Sequence, residues 1–419
     1  MYLKLKQIAY IIVRVFKYYG GEALNKIIYW FKDFLKGTDK FLITLSILLS
    51  TFGIIMVYSA TRRTLTEDML IPRDVRTMAI AVILGVICAF IISLVDYEAL
   101  ARLWPIIAIV CLGLMVSLFF IGDAPSGRSD AISWIKLGSF YFQPSELLKI
   151  GFMITFAVHL NNVRHDINKF KNVVMLGIHA MVVVALVILT GDLGSALVFV
   201  VMTLGMLFVA GLYIRYFLFG VGVIACAAPL LWFEFFSDFQ KQRFMAIYSP
   251  SSLTEATYEE VIFQQQQGVN AIGSGKIFGQ GLFEGPYTQN GLVPESRNDM
   301  IFTVVGEELG LVGAIFALLL LLILVIKIIY VGQHAVSFIG KIICTAVAVM
   351  IVAHVVINIG MCLMVLPVIG ITLPFMSAGG SSSLCIYFAI GMVMSVYRSS
   401  LTRDPVDFKF GKIYTPFTD

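Results

Sequence analysis

The chain has 419 residues, 59% of them hydrophobic and 13% charged, with a mean hydropathy of +0.91. A soluble domain carries about 25% charged residues, so this composition excludes a water-covered globule and describes an integral membrane protein with one polytopic domain. The formal net charge of +4 is too small to point to nucleic acid.

Residues 1–39 read as a cytoplasmic basic amphipathic segment. Ile8, Ile11, Ile12 and Phe16 alternate with Lys4, Lys6, Arg14 and Lys17 at helical spacing, and a second stripe runs through Leu24, Ile27, Ile28 and Phe31. The charges break the first apolar run and no small-residue cleavage site follows, which argues against a cleavable signal peptide. The segment is expected to lie on the inner membrane surface, with a partly disordered basic tail as the alternative.

Ten membrane spans are expected over residues 40–397, at roughly 41–60, 76–95, 104–122, 145–160, 173–190, 193–210, 216–233, 308–330, 342–366 and 383–397. The predicted fold class is therefore all-α. The fifth and sixth spans are separated by Gly191-Asp192, which allows a tight hairpin or one broken element. Lys and Arg set the orientation. Residues 1–40 carry eight of them, and Arg102, Arg164, Lys169, Lys171, Arg215, Lys327, Lys341 and the 398–419 tail fall on the same side. The positive-inside rule makes that side, and both termini, cytoplasmic, although Arg62, Arg63, Arg73 and Arg76 run against it. A long outer loop over 234–307 is too long for a passive connector, and its stretches Val261–Gln267 and Val269–Phe278 are candidates to lie along the membrane surface. Cys88, Cys111, Cys226, Cys344, Cys362 and Cys385 all fall in apolar stretches without metal spacing, so no disulfide or metal role is assigned.

Four polar stretches gather on the outer side. In the first, Gln143-Pro144-Ser145-Glu146 opens a helix and Lys149 follows Glu146 three residues on, so the two can pair. A structural ion pair accounts for them at least as well as direct chemistry, because intramembrane charges pair by default. Asp192, in the second, reads first as a helix cap and second as a substrate or ion contact. The third is Pro294-Glu295-Ser296-Arg297-Asn298-Asp299 running into Gly306-Glu307-Glu308-Leu309-Gly310, preceded by Lys241, Arg243, Gly273 and Gly275. Asp299 is its leading candidate for a reacting group, with an N-cap as the bland alternative; Glu307 and Glu308 read as supporting helix-end charges. The fourth runs from Asn358-Ile359-Gly360-Met361 through Leu366-Pro367 and Pro374-Phe375-Met376-Ser377-Ala378 to Gly379-Gly380-Ser381. Irregular backbone at this depth lines a cavity or packs inside protein, and the helix start at Gly379–Ser381 offers N–H groups to an anion.

Together, in this order and spacing, the stretches resemble the SEDS family (shape, elongation, division and sporulation) of polytopic peptidoglycan glycosyltransferases over about residues 40–400. The resemblance implies lipid II, a disaccharide-pentapeptide on undecaprenyl diphosphate, as substrate, and a class B penicillin-binding transpeptidase as partner. The family's catalytic aspartate maps onto Asp299. Substrate contact is expected from Gln143, Glu146, Asp192, Ser377, Gly379, Gly380 and Ser381. The donor sugar is α-linked and the product β-1,4-linked, so one inverting displacement needs a base for the acceptor 4-hydroxyl and positive charge on the leaving diphosphate. Lys149, Arg243, Lys136 and the Gly379–Ser381 helix start are the candidates for that charge. A divalent cation (Mg or Mn) can share the task, though no ligand set demands one. The chain departs from the family at Ser133, Gly191, Arg297-Asn298 and Ala378, where Arg, Pro, His-Thr and Tyr are usual; Arg128 or Lys136 is placed to compensate for the first. A lipid II flippase and a non-catalytic scaffold are the competing readings.

Overall fold

Inside a bilayer the backbone has to satisfy its own hydrogen bonds, and this chain does so mainly with helices. In a computed structural model, the structure describes residues 37–65, 71–124, 132–138 and 140–402. The amphipathic segment up to residue 36, Arg128 and the tail beyond 402 lie outside the described residues.

The helices are α1 (Lys40–Thr61), α2 (Arg73–Leu94), the short α3 (Tyr97–Arg102), α4 (Trp104–Ile121), α5 (Pro144–Val163), α6 (Phe170–Leu189), α7 (Leu193–Val209), α8 (Ile214–Leu230), α9 (Asp238–Tyr248), α10 (Glu255–Gly275), α11 (Pro286–Gln289), α12 (Ile301–Gln333), α13 (Phe338–Cys362) and α14 (Gly380–Thr402). Among the described residues, eight helices are long and apolar enough to cross a membrane. The 17-residue α7 and the 20-residue α5, which carries Glu146 and Lys149, cover the other two stretches expected to span; the 21-residue α10 belongs to the 234–307 stretch and is not among the ten. The chain is a multi-pass membrane protein.

Local chemistry fixes the helix starts. Asp39 caps α1 through Leu42 N–H, Asp192 caps α7 through Ser195 N–H, and Ser337 caps α13 through Gly340 N–H. Pro144 opens α5 in the first turn, where its missing N–H costs nothing. Gly191 has φ +81°, so α6 and α7 form a tight hairpin and not one broken element.

Two of the loops expected on the outer side are more ordered than connectors. Strands β1 (Gly122–Asp123), β2 (Trp134–Leu137) and β3 (Phe140–Phe142) make a small antiparallel sheet in the order β1-β2-β3. The 234–307 stretch folds into α9, α10 and α11 and then enters α12.

That last helix begins seven residues before the span expected from hydropathy, because its first turns are buried against protein. At Gly310, with φ +63°, α12 is interrupted. The segment 276–281 takes over the broken ladder: Gln280 and Gly281 N–H donate to the Glu307 and Glu308 carbonyls, while Leu311 and Val312 N–H donate to the Lys276 and Ile277 carbonyls. At this crossing Gly275 lies so close that a Cβ would stand 2.0 Å from the Gly306 carbonyl oxygen.

Candidate active site

The four polar stretches, far apart in sequence, meet at one end of the bundle, where α1, α4 and α6 end and α2, α5, α7, α12 and α14 begin. They surround a cavity of about 580 Å³. Gln143 and Glu146 come to its wall from α5 and the residue before it, Asp192 and Ser195 from the α6–α7 turn and α7, Arg297, Asn298 and Asp299 from the approach to α12, and Gly379–Ser382 from the start of α14. Helix α2 adds Arg73 and Asp74, and α13 adds His354.

Asp299 is 7% exposed and lies on this wall. Its backbone is held from behind. Asn358, fully buried in α13, donates one amide hydrogen to the Asp299 carbonyl at 2.7 Å and the other to the Ile371 carbonyl at 2.8 Å. Ala378 N–H donates to the Arg297 carbonyl at 2.9 Å. The 363–379 loop and the 294–300 approach are thereby fixed to one another. On the cavity side, Arg297 forms a 3.1 Å ion pair with Asp74, linking the approach to α2.

Glu146 and Lys149 pair at 2.8 Å, as their spacing predicts. The Lys149 side chain is 1% exposed, and its ammonium also contacts His354 Nε2 at 3.0 Å. An ammonium only donates, so Nε2 accepts and the imidazole carries its proton on Nδ1. The lysine charge therefore meets the cavity through Glu146 and His354, both of which line it, and not directly.

Asp192 combines its cap with side-chain contacts. Its Oδ1 accepts from Ser195 N–H, and its Oδ2 accepts from Gln143 Nε2 and Ser145 Oγ, each at 2.9 Å. Ser381 donates to the Tyr141 carbonyl and accepts from Gln143 N–H, tying β3 to the start of α14. Gly379, Gly380 and Ser381 line the cavity at that helix start, as a site for an anion requires.

Other sequence candidates are placed elsewhere. Arg243 donates to the Val368 carbonyl at 2.6 Å and so buttresses the 363–379 loop from outside the cavity wall. Lys136 is an exposed residue of β2 beside the Tyr141 ring. Ser377 is buried within the loop, where its Oγ accepts from Leu373 N–H. It lines a separate void of about 20 Å³ that also touches Glu146 and His354, a volume that admits one water. Glu307 and Glu308 face away from the cavity and clasp the loop before α12: Glu307 accepts from Tyr287 N–H and from Thr288 N–H and Oγ1, Glu308 from Ser59 Oγ, Phe283 N–H and Gln289 Nε2.

Sequence reasoning passed over three wall residues. Arg73 enters the sequence reading only as a charge that runs against the topology, and Asp74 does not enter it. His354 is a lone histidine in an apolar helix, and its position one turn before Asn358 was the available signal. Among the described residues, the Lys and Arg side chains on the wall are Arg73 and Arg297, and no group of three or more His, Cys, Asp or Glu is arranged to hold a metal.

Comparison with known proteins agrees with this layout. A family model described as cell cycle protein, for FtsW, RodA and SpoVE, matches residues 39–401. The peptidoglycan glycosyltransferase MrdB of Escherichia coli K12 is 32% identical over 377 residues, covering 89% of this chain and 96% of MrdB. Stage V sporulation protein E of Bacillus subtilis is 32% identical over 372 residues, covering 86% of this chain and 97% of its own. Among solved structures, a chain of a peptidoglycan synthase complex that coordinates polymerization and crosslinking superposes with a TM-score of 0.72 at 25% identity, over 87% of this chain and 99% of that one. The rod shape determining protein RodA of Thermus thermophilus gives 0.64 at 24% identity, over 87% and 98%. This chain belongs to the FtsW/RodA/SpoVE family of cell cycle proteins.

Proposed function

We infer that the protein is a peptidoglycan glycosyltransferase that polymerises lipid II into β-1,4-linked glycan at the extracytoplasmic face of the cytoplasmic membrane. The observation that carries this reading is the convergence of four separated polar stretches on one cavity, with Asp299 on its wall. In the proposed displacement, the acceptor 4-hydroxyl oxygen attacks the anomeric carbon of the donor. Its proton passes to the Asp299 carboxylate. The bond from that carbon to the phosphate oxygen breaks, and the undecaprenyl diphosphate leaves with the electron pair.

A carboxylate ordinarily titrates near about 3.9 and is a weak base at neutral pH, so in this reading Asp299 acts chiefly through its position on the cavity wall. Arg73 and Arg297, with the N–H groups at Gly379–Ser381, are the proposed partners of the diphosphate. Lys149, enclosed with Glu146 and His354, is assigned to the floor of the site, and Arg243 to the loop that backs it. A divalent cation, Mg or Mn, would lower the charge of the leaving diphosphate, and the wall acids Asp74, Glu146 and Asp192, which would have to hold it, already have partners.

The wall residues cluster at one end of the helices, which favours polymerisation over transport across the bundle. A class B penicillin-binding transpeptidase is the proposed partner, in keeping with the synthase complex to which this fold is similar.

The test is purified protein given labelled lipid II, with and without a transpeptidase partner. Glycan should form, and Asp299→Ala and Asp299→Asn should each reduce it by at least about a hundredfold, the size of a general-base contribution. Normal polymer from both variants would remove Asp299 from the mechanism. Movement of lipid II between leaflets with no polymer would replace the enzyme with a flippase.

A further inference from the structure

Where the hydrocarbon begins can be read from the helices. On α12, residues 301–308 and Gly310 are buried and Leu309 is half-buried, and the lipid-type stripe of exposed large apolar side chains starts at Leu311 (53% exposed) and ends at Tyr330. That is twenty positions, roughly 30 Å of helix and the thickness of a hydrocarbon core. Helix α2 shows the same change of character along its own length. Its exposed apolar stripe runs from Ile80 to Leu94, while its first residues, including Arg73, Asp74 and the exposed Arg76 and Thr77, are polar. The cavity wall formed by Arg73, Asp74, Arg297 and Asp299 therefore stands beyond the hydrocarbon edge. The ten residues from 301 to 310 lift the start of α12 above that edge by roughly 15 Å.

At the same level lies the loop that completes the interrupted α12. Its backbone is bonded to Leu311 and Val312, the first residues of the lipid-facing stripe. It presents Ile277 at 57% exposure and Phe278 at 83%, continuous with Leu311 and Val312. Exposed large apolar side chains bonded onto the first lipid-facing turn of a span have the character of an interfacial anchor.

We propose that the Lys276–Leu282 loop inserts its Ile277–Phe278 tip into the acyl-chain boundary of the leaflet at the site end, and so sets the height of the cavity above the hydrocarbon. The partner is the lipid surface itself. Because the same loop is bonded to Glu307 and Glu308 in the helix that follows Asp299, the anchor and the reacting edge of the cavity are one connected piece.

The experiment places Phe278→Trp in phospholipid nanodiscs containing the full chain alone. Emission added over the parent chain is measured with lipids brominated near the headgroup, with lipids brominated near the chain end, and with aqueous iodide. Glu259→Trp, at an exposed position of α10, is the water-facing comparison. Tryptophan at 278 should be quenched at least twofold more by the shallow bromines than by the deep ones, and little by iodide; tryptophan at 259 should show the reverse preference for iodide over lipid. Added emission from 278 that iodide quenches and brominated lipid does not would overturn the proposal. So would protection from both quenchers, the result expected of a second protein covering the tip. The readout is depth, so it stands or falls separately from the polymerase reading.

Discussion

Lys149 holds a full charge inside a helix bundle, and its two contacts explain how. Glu146 neutralises it and His354 accepts its second hydrogen bond. Removing one partner of a buried pair leaves the other uncompensated, at a cost of about 3–5 kcal/mol, whereas removing both together is far milder. Lys149→Met should therefore unfold in detergent well below the parent, and the double variant Glu146→Gln/Lys149→Met should recover most of that loss. Thermal unfolding followed by circular dichroism checks both. A single variant as stable as the parent would mean that Glu146 is not held by this lysine. The pairing was legible from spacing alone, since i and i+3 share a helix face. His354 was not, because its partner lies 205 positions away in sequence and a lone histidine among apolar residues carries no local mark. Arg243 shows the converse: its charge at the outer surface suggested an anion, but its partner is a backbone carbonyl brought near by a loop more than a hundred residues later.

At the scale of elements, the start of α12 is where Asp299 is positioned, and α10 sets it. The close crossing requires glycine at 275, where a Cβ would also stand 2.7 Å from the Glu307 carbonyl oxygen. Gly273, one half-turn earlier, faces open space. Alanine at these two positions should give opposite results. Gly273→Ala removes only backbone freedom of the unfolded chain and should be neutral or stabilising by up to about 1 kcal/mol. Gly275→Ala forces the helices apart and should destabilise by about 1–3 kcal/mol, with glycan synthesis falling as the approach to Asp299 shifts. Unfolding and polymerisation measured side by side decide it, and equal behaviour of the two variants would contradict the crossing. The spans themselves were legible because hydropathy reads lipid contact. The outer turns of α12 were not, because they contact protein, and neither was the small β-sheet at 122–142, whose strands are too short to show a period.

For the whole molecule, the arrangement commits the chain to two unlike ends. One holds the cavity; the other holds the 2.6 Å Asp39–Lys327 pair and the contact between Tyr97 and Ser337. From the lysine and arginine bias we propose that the cavity end faces outward. A cysteine introduced at Glu259 should react with a membrane-impermeant maleimide on intact cells, and one at His334 only after permeabilisation. The opposite pattern would invert the chain and place the reaction in the cytoplasm. The ten-helix layout and the clustering of motifs at one end followed from the sequence, since both depend on order along the chain. The depth of the cavity, and which cations reach it, depend on tertiary contacts that leave no pattern in the sequence.

The broken ladder at Gly310 has a consequence for how the molecule opens. In an uninterrupted helix, each turn is secured by the turn before it, and fraying moves inward from the end. Here the amides of Leu311 and Val312 are protected by a neighbouring segment, so they should exchange with solvent in step with residues 276–281 and not with the rest of their own helix. The ten residues leading away from Asp299 should thus exchange as a separate cooperative unit, loosening as a block while the membrane-crossing part of α12 stays closed.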